Sequence, residues 1–245
     1  MYRLIALDMD GTLLDEDGRV SEANRRWINE ALNAGLLVCL TTGRGIQSVQ
    51  PYLDELELNT PMVTVNGSEV WEKPGSLWVR HTVPAEWIGE LRERAVALGI
   101  WYWAYSTEGV LNRDRWADRP LSEYEWLKFG IHTDRDDARA DFRRWAEETD
   151  RYEVTNSHPH NLELNPRGIN KASGLAEICS RIGLSLSEVV AVGDSLNDIA
   201  MIRAAGLGVA MGNAQDAVKQ AADRVTATNA NDGVAAVIQS ILQGD

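Results

Sequence analysis

The sequence predicts an α/β fold: a Rossmann-like parallel-sheet core with an inserted α+β cap domain. Three observations predict it. Short apolar runs alternate with amphipathic helical stretches at both ends of the chain. These runs are apolar at successive positions rather than every second one, the pattern of a sheet covered on both faces. Between residues 82 and 167 the pattern changes to alternating, half-exposed strands and amphipathic helices, as in an antiparallel α+β unit.

Residues 3–8 read as the first strand, ending abruptly at Asp8, Asp10 and Gly11. Residues 21–34 have helical periodicity, with Ser21 as the N-cap and Gly35 as the stop. A second strand covers 36–41, a helix 45–56, and a third strand 61–65. The chain returns to this alternation with a helix at 170–182, a strand at 189–193, a helix at 197–205, a strand at 208–211, and helices at 214–222 and 232–242. Residues 1–81 and 168–245 therefore form one discontinuous core, and 82–167 the insertion. In the insertion, strands are expected at 101–106, 127–132, 152–156 and 161–164, and helices at 84–98 and 135–148. It holds six of the nine tryptophans.

Composition narrows the function classes. At 245 residues, 44% hydrophobic and 25% charged, the chain is ordinary globular protein. Its net charge of −13 repels phosphate backbones and anionic membrane surfaces. The densest basic stretch, residues 135–144, is interrupted by Asp136, Asp137 and Asp141. Neither nucleic acid nor membrane is an expected partner. No run reaches the roughly 18 apolar residues of a membrane helix. The run at 4–7 is too short for a signal peptide and is followed at once by Asp8 and Asp10, so a cytoplasmic location is expected. Cys39 and Cys179 are too few for a disulfide framework or a four-cysteine zinc site and are expected to be buried thiols.

In an open parallel sheet, ligands bind at the carboxyl ends of the strands. The chemically active residues collect there: Asp8-Met9-Asp10-Gly11-Thr12, Thr41-Thr42-Gly43-Arg44, and Gly193-Asp194-Ser195-Leu196-Asn197-Asp198, with Lys171 at the start of a helix. Carboxylates held together resist ionisation unless a cation joins them. Mg²⁺ suits oxygen ligands and leaves room for phosphate oxygens. The implied chemistry is phosphoryl transfer, with one carboxylate attacking phosphorus and another group handling the leaving-group proton. Each residue also has a plainer role open to it. Thr42 or Asn213 could cap a helix, Asp198 could sit in a first helical turn, and Arg44 could be structural or a surface charge.

Asp8-Met-Asp10-Gly-Thr-Leu-Leu, Thr42-Gly43-Arg44, Lys171 and Gly193-Asp-Ser-Leu-Asn-Asp198 resemble, in order, the four motifs of the haloacid-dehalogenase-like phosphatases. The resemblance covers both core segments. The inserted unit, Asn66-Gly67-Ser68, Met211-Gly-Asn213-Ala214 and Asn231-Asp232-Gly233-Val234 are similar to the Cof-like branch, although this cap is shorter than many. The resemblance implies that Asp8 is the nucleophile forming an aspartyl phosphate. It implies that Asp10 is the acid and then the base, its backbone carbonyl reaching Mg²⁺. Thr42, Gly43 and Lys171 would bind the phosphoryl group, and Asp194 would ligate the metal. Asp198 would complete the metal site directly or through water. Asn197 would support phosphate or lysine, and Asn213 the lysine or the phosphate loop.

The expected function is Mg²⁺-dependent hydrolysis of a small phosphomonoester, a sugar phosphate or similar metabolite. A phosphomutase using the same nucleophile, or a non-catalytic phosphometabolite-binding module, is the alternative. The sequence leaves the oligomeric state open. In the cap, Trp101, Trp103 and Tyr105 share one strand face and Tyr102 and Ala104 the other. One face packs on cap helices, and the other is free to pack or to look into the site. His158, His160 and Glu163 line the cleft or its rim, and the two histidines have no cysteine or third histidine near them in sequence.

Overall fold

The computed structural model describes residues 1–244. The first core segment runs through Leu4–Leu7 (β1), Glu22–Asn33 (α1), Leu37–Leu40 (β2), Ile46–Glu55 (α2) and Met62–Thr64 (β3). A hairpin follows, Glu69–Lys73 (β4) and Ser76–Arg80 (β5). The insertion contains Ala85–Ala97 (α3), Trp101–Ser106 (β6), Gly109–Asn112 (β7), Trp126–His132 (β8), Asp136–Glu148 (α4), Tyr152–Thr155 (β9) and Asn161–Pro166 (β10). The chain returns through Lys171–Ile182 (α5), Val189–Gly193 (β11), Ile199–Ala204 (α6), Leu207–Ala210 (β12), Asp216–Ala221 (α7), Arg224–Val225 (β13) and Gly233–Gln243 (α8).

The core sheet has the order β13-β12-β11-β1-β2, with all neighbours parallel. Alternation along β1 sends Ile5 and Leu7 to one face, with Val38, Leu40, Ile28, Val49 and Ile238. Leu4 and Ala6 go to the other face, with Cys39, Leu175, Ile178 and Met201. Both faces are thus covered, which is why the strands carry no polar alternation. Register then assembles the cleft. Leu7 is level with Leu40 on one side and Val192 on the other. The polar residues that follow these three strands therefore emerge side by side.

The cap sheet is antiparallel, ordered β7-β6-β8-β10-β9. Tyr102, Ala104, Phe129, Ile131, Leu162 and Leu164 pack against Ile88, Leu91 and Phe142 of its helices. The opposite face carries Trp103, Tyr105, Lys128, Gly130 and Glu163, and is turned to the core.

Several elements depart from expectation. The β4–β5 hairpin was not foreseen, because Glu69 to Lys73 mixes apolar and charged residues. Its strands extend β3 antiparallel, and β3 itself touches the parallel sheet through a Thr41–Val63 bridge. β7 and the two-residue β13 are too short to show a period. The helices expected at 197–205 and 214–222 are shortened to α6 and α7, the first preceded by a 3₁₀ turn at Leu196–Asp198. Cys39 and Cys179 are both buried and free. Among the described residues, no helix is long and apolar enough to cross a membrane.

Candidate active site

Asp8 leaves the end of β1 into the crevice and is 5% exposed. Lys171 meets it from the first residue of α5. That helix start is fixed by a reciprocal cap, in which the Asn170 side chain accepts from Ser173 N–H and Ser173 Oγ accepts from Asn170 N–H. The fully buried Lys171 Nζ donates to Asp8 Oδ1 at 2.5 Å and to Asp198 Oδ1 at 2.7 Å. Asp198 uses its other oxygen to accept from the N–H groups of Asp194 and Ser195, at 2.9 and 3.0 Å. It thereby holds the loop after β11 and the lysine together. Asp194 accepts from Thr12 Oγ1 and Ser195 Oγ, both at 3.0 Å. Gly11, at φ +78°, passes so close to the Asp194 carboxylate that a Cβ there would lie 2.6 Å from Oδ2.

One carboxylate oxygen from each of Asp8, Asp194 and Asp198 lies within 4.8 Å of the others. A single lysine faces three acids. Burial pushes the Asp8 carboxyl well above the usual carboxylate range; Lys171 opposes this and Asp198 and Asp194 add to it. Burial and then Asp198 raise Asp194 to about 6. Burial disfavours the Lys171 ammonium, but Asp198 and Asp8 outweigh it and hold its pKa above the ordinary value. An all-oxygen cluster that resists ionisation until more positive charge arrives fits a hard divalent cation.

Asp10 points elsewhere. Its carboxylate is gripped by Arg44, with Nε to Oδ2 at 2.8 Å and Nη2 to Oδ1 at 2.5 Å. Arg44 also lies over the Tyr52 ring, 5.4 Å from its centroid. Arg44 is therefore part of the site's framework. Thr42 Oγ1 accepts from Arg44 N–H at 3.1 Å and does not cap α2, whose N-cap is Gly45. The Thr42 hydroxyl hydrogen remains free for a ligand oxygen. Gly43 offers its carbonyl to Lys128 Nζ of β8 at 2.9 Å. Asn213 does not reach the lysine. It donates to the Gly11 carbonyl at 2.8 Å and accepts from Asn229 N–H at 3.0 Å, tying the turn after Asp10 to the loop that holds Asn229.

The cap closes the cleft with residues the motifs do not contain. Lys128 lies 3.1 Å from Glu163 Oε2 and 4.8 Å from the Tyr105 ring centroid, with both charged side chains buried. Burial lowers the Lys128 pKa, with Glu163 opposing. Burial would raise Glu163, but Lys128, Asn66 and Ser157 hold it below the usual range. Asn66, at φ +57°, donates to Glu163 Oε2 at 2.6 Å. Its own Oδ1 accepts from Asn197 Nδ2 at 3.1 Å. A carboxylate only accepts, so this chain fixes both amides. Asn197 therefore turns its Oδ1 away from Asn66; that atom is buried without a partner. Asn197 can thus accept from an ammonium or a hydroxyl through Oδ1, while Asn66 takes one of its two Nδ2 hydrogens.

Asp8, Asp10, Gly43, Arg44, Ser195 and Asn197 of the core and Trp103, Tyr105, Lys128, Ser157, Asn161 and Glu163 of the cap enclose a cavity of about 290 Å³. The aromatic face of β6 therefore looks into the site. Gly130 makes this possible, because a Cβ there would collide with the Trp103 indole. Lys128 had one sequence signal, a lone charge inside the apolar run Trp126 to Ile131. His132 joins His158 and His160, their ring centroids 5.3 to 6.3 Å apart. The pair expected from sequence is therefore a trio, because β8 brings in a residue 26 positions before His158.

Comparisons with known proteins give the family of the chain. The family model described as haloacid dehalogenase-like hydrolase matches residues 5–138 and 117–238. A Bacillus subtilis (strain 168) protein named 5-amino-6-(5-phospho-D-ribitylamino)uracil phosphatase is 42% identical over 240 residues, 97% of this chain and 94% of its own. A second B. subtilis phosphatase of the same substrate name is 33% identical over 265 residues, covering 95% and 94%. The crystal structure of a haloacid dehalogenase-like hydrolase from Bacteroides thetaiotaomicron superposes with a TM-score of 0.83 at 30% identity, covering 98% of this chain and all of that one.

Proposed function

The chain belongs to the haloacid dehalogenase-like hydrolases, in their Cof-like branch, and from this premise we propose that it is a phosphatase for a phosphorylated sugar alcohol bearing a planar ring, of the 5-amino-6-(5-phospho-D-ribitylamino)uracil type. The observation that carries the reading is the cavity over Asp8. Aromatic faces, Trp103 and Tyr105, line it beside hydroxyl, amide and charged groups, Ser157, Asn161, Lys128 and Glu163. Such a lining suits a ring to stack and hydroxyls to hydrogen-bond. The names of the two B. subtilis relatives support the same class.

In this reading Asp8 attacks phosphorus, and the bond from phosphorus to the substrate oxygen breaks. Asp10, held by Arg44 through one oxygen and protonated on the other once that oxygen leaves the guanidinium, gives this proton to the substrate oxygen, and the free alcohol leaves. Asp10 then takes a proton from water as the water oxygen attacks phosphorus. The bond to Asp8 breaks and inorganic phosphate departs. Thr42 and Gly43 hold the phosphoryl group. Lys171 keeps Asp8 and Asp198 oriented and offsets equatorial charge. Mg²⁺ would be held by Asp8, Asp194, Asp198 and the Asp10 carbonyl, and supplies the positive charge that lets a phosphate dianion approach the acids.

The test is phosphate release from a panel containing this ribityl phosphate, hexose phosphates, pyridoxal phosphate and nucleotides, with Mg²⁺ and with chelator. The ribityl compound should have the highest kcat/KM, and release should stop with chelator. A ranking led by a hexose phosphate, pyridoxal phosphate or a nucleotide would overturn the substrate assignment.

A further inference from the structure

We propose that the Lys128–Glu163 pair restricts this cleft to leaving groups without a second anionic group, so that monophosphates are accepted and bisphosphates are rejected. The inference rests on the phosphatase reading and adds a specificity element to it. Among the described residues, every cationic side chain lining the cavity or touching Asp8 already has a carboxylate partner. Arg44 is bound to Asp10 through two nitrogens. Lys171 is shared between Asp8 and Asp198. Lys128 is paired with Glu163.

Only Lys128 comes from the cap, the side on which a leaving group must lie. Two of its three N–H donors are used, on Glu163 and on the Gly43 carbonyl. One donor remains, but the ammonium's charge is already matched by the Glu163 carboxylate. Around it stand the Glu163 carboxylate and the π-face of Tyr105, both of which repel anions, with the Trp103 side chain beside them. A second phosphate there would lose its hydration without gaining a counter-charge. A polyol meets donor and acceptor in turn: Lys128, Asn161 and Ser157. The pair thus selects by opposing the wrong ligand as well as by binding the right one.

The experiment compares a sugar monophosphate with its bisphosphate, such as fructose 6-phosphate against fructose 1,6-bisphosphate. Turnover is measured on the Mg²⁺-loaded enzyme, and binding by calorimetry on the Asp8→Asn protein. Wild type should favour the monophosphate by about tenfold or more in kcat/KM and show the same order in affinity. Glu163→Gln leaves Lys128 without its carboxylate and should shrink or invert that ratio. Glu163→Gln combined with Lys128→Met removes both charges and should restore the preference, which separates the charge effect from loosening of the cap. Equal use of both esters by wild type, or a ratio unmoved in Glu163→Gln, would overturn the proposal while leaving the phosphatase reading intact. Neither ester released nor bound by wild type would overturn the proposal, and only the absence of phosphate release from the ribityl phosphate and the rest of the panel would overturn the phosphatase reading as well.

Discussion

Arg44 donates to both carboxylate oxygens of Asp10, through Nε at 2.8 Å and Nη2 at 2.5 Å. A two-point grip fixes the plane of a carboxylate, which a single lysine contact cannot do. The two residues come from the ends of adjacent strands, so the sheet register sets the geometry of the proposed acid and base.

Replacing Arg44 should therefore cost turnover more than binding. Arg44→Met and Arg44→Lys should each lower kcat by about tenfold to a hundredfold, with KM changed by no more than about threefold. Steady-state kinetics on the best panel substrate decides it. An unchanged kcat in both variants would remove Arg44 from any positioning role.

Trp103 lies across Gly130, where no side chain fits. Trp103→Ala should raise KM by about tenfold for a ring-bearing substrate and much less for a small acyclic phosphate. Gly130→Ala should give the same pattern, because the added methyl displaces the indole. Equal KM changes on both substrate types would argue against stacking at this position.

Asp194, a proposed metal ligand, should link metal binding to stability. Its folded pKa, about 6, is above the ordinary carboxylate value of about 3.9. The folded state therefore holds the proton more tightly, and this group's contribution to stability is present below pH about 4 and is lost as pH rises through 6. Without metal, Asp194→Asn should be more stable than wild type by about 2 kcal/mol at pH 7.5 and nearly equal to it at pH 4. Adding Mg²⁺ should reverse the order at pH 7.5, because only wild type keeps the full carboxylate set. Thermal or urea unfolding at the two pH values measures this. A variant less stable than wild type at pH 7.5 without metal would contradict it.

The core was legible in sequence because burial on both faces leaves continuous apolar runs, and because the active residues follow those runs directly, as Asp8 follows Leu7. The cap half of the site was less legible. Lys128 and Glu163 are 35 positions apart and become partners only when β8 and β10 pair in register. Asn66 was noted within Asn66-Gly67-Ser68. Its link from Glu163 to Asn197 depends on a left-handed backbone conformation that no local pattern announces. The β4–β5 hairpin escaped because its strands alternate irregularly and carry charge at their exposed ends.

Asp8 is the residue proposed to carry the phosphoryl group. The most direct test is rapid acid quench of the Mg²⁺-loaded enzyme with the ribityl phosphate, followed by borohydride reduction and peptide mass mapping. A substrate-dependent modification is expected at Asp8, absent with chelator and absent in Asp8→Asn, which should also release no phosphate. Phosphate release that persists in purified Asp8→Asn, or a modification found on another residue, would contradict it.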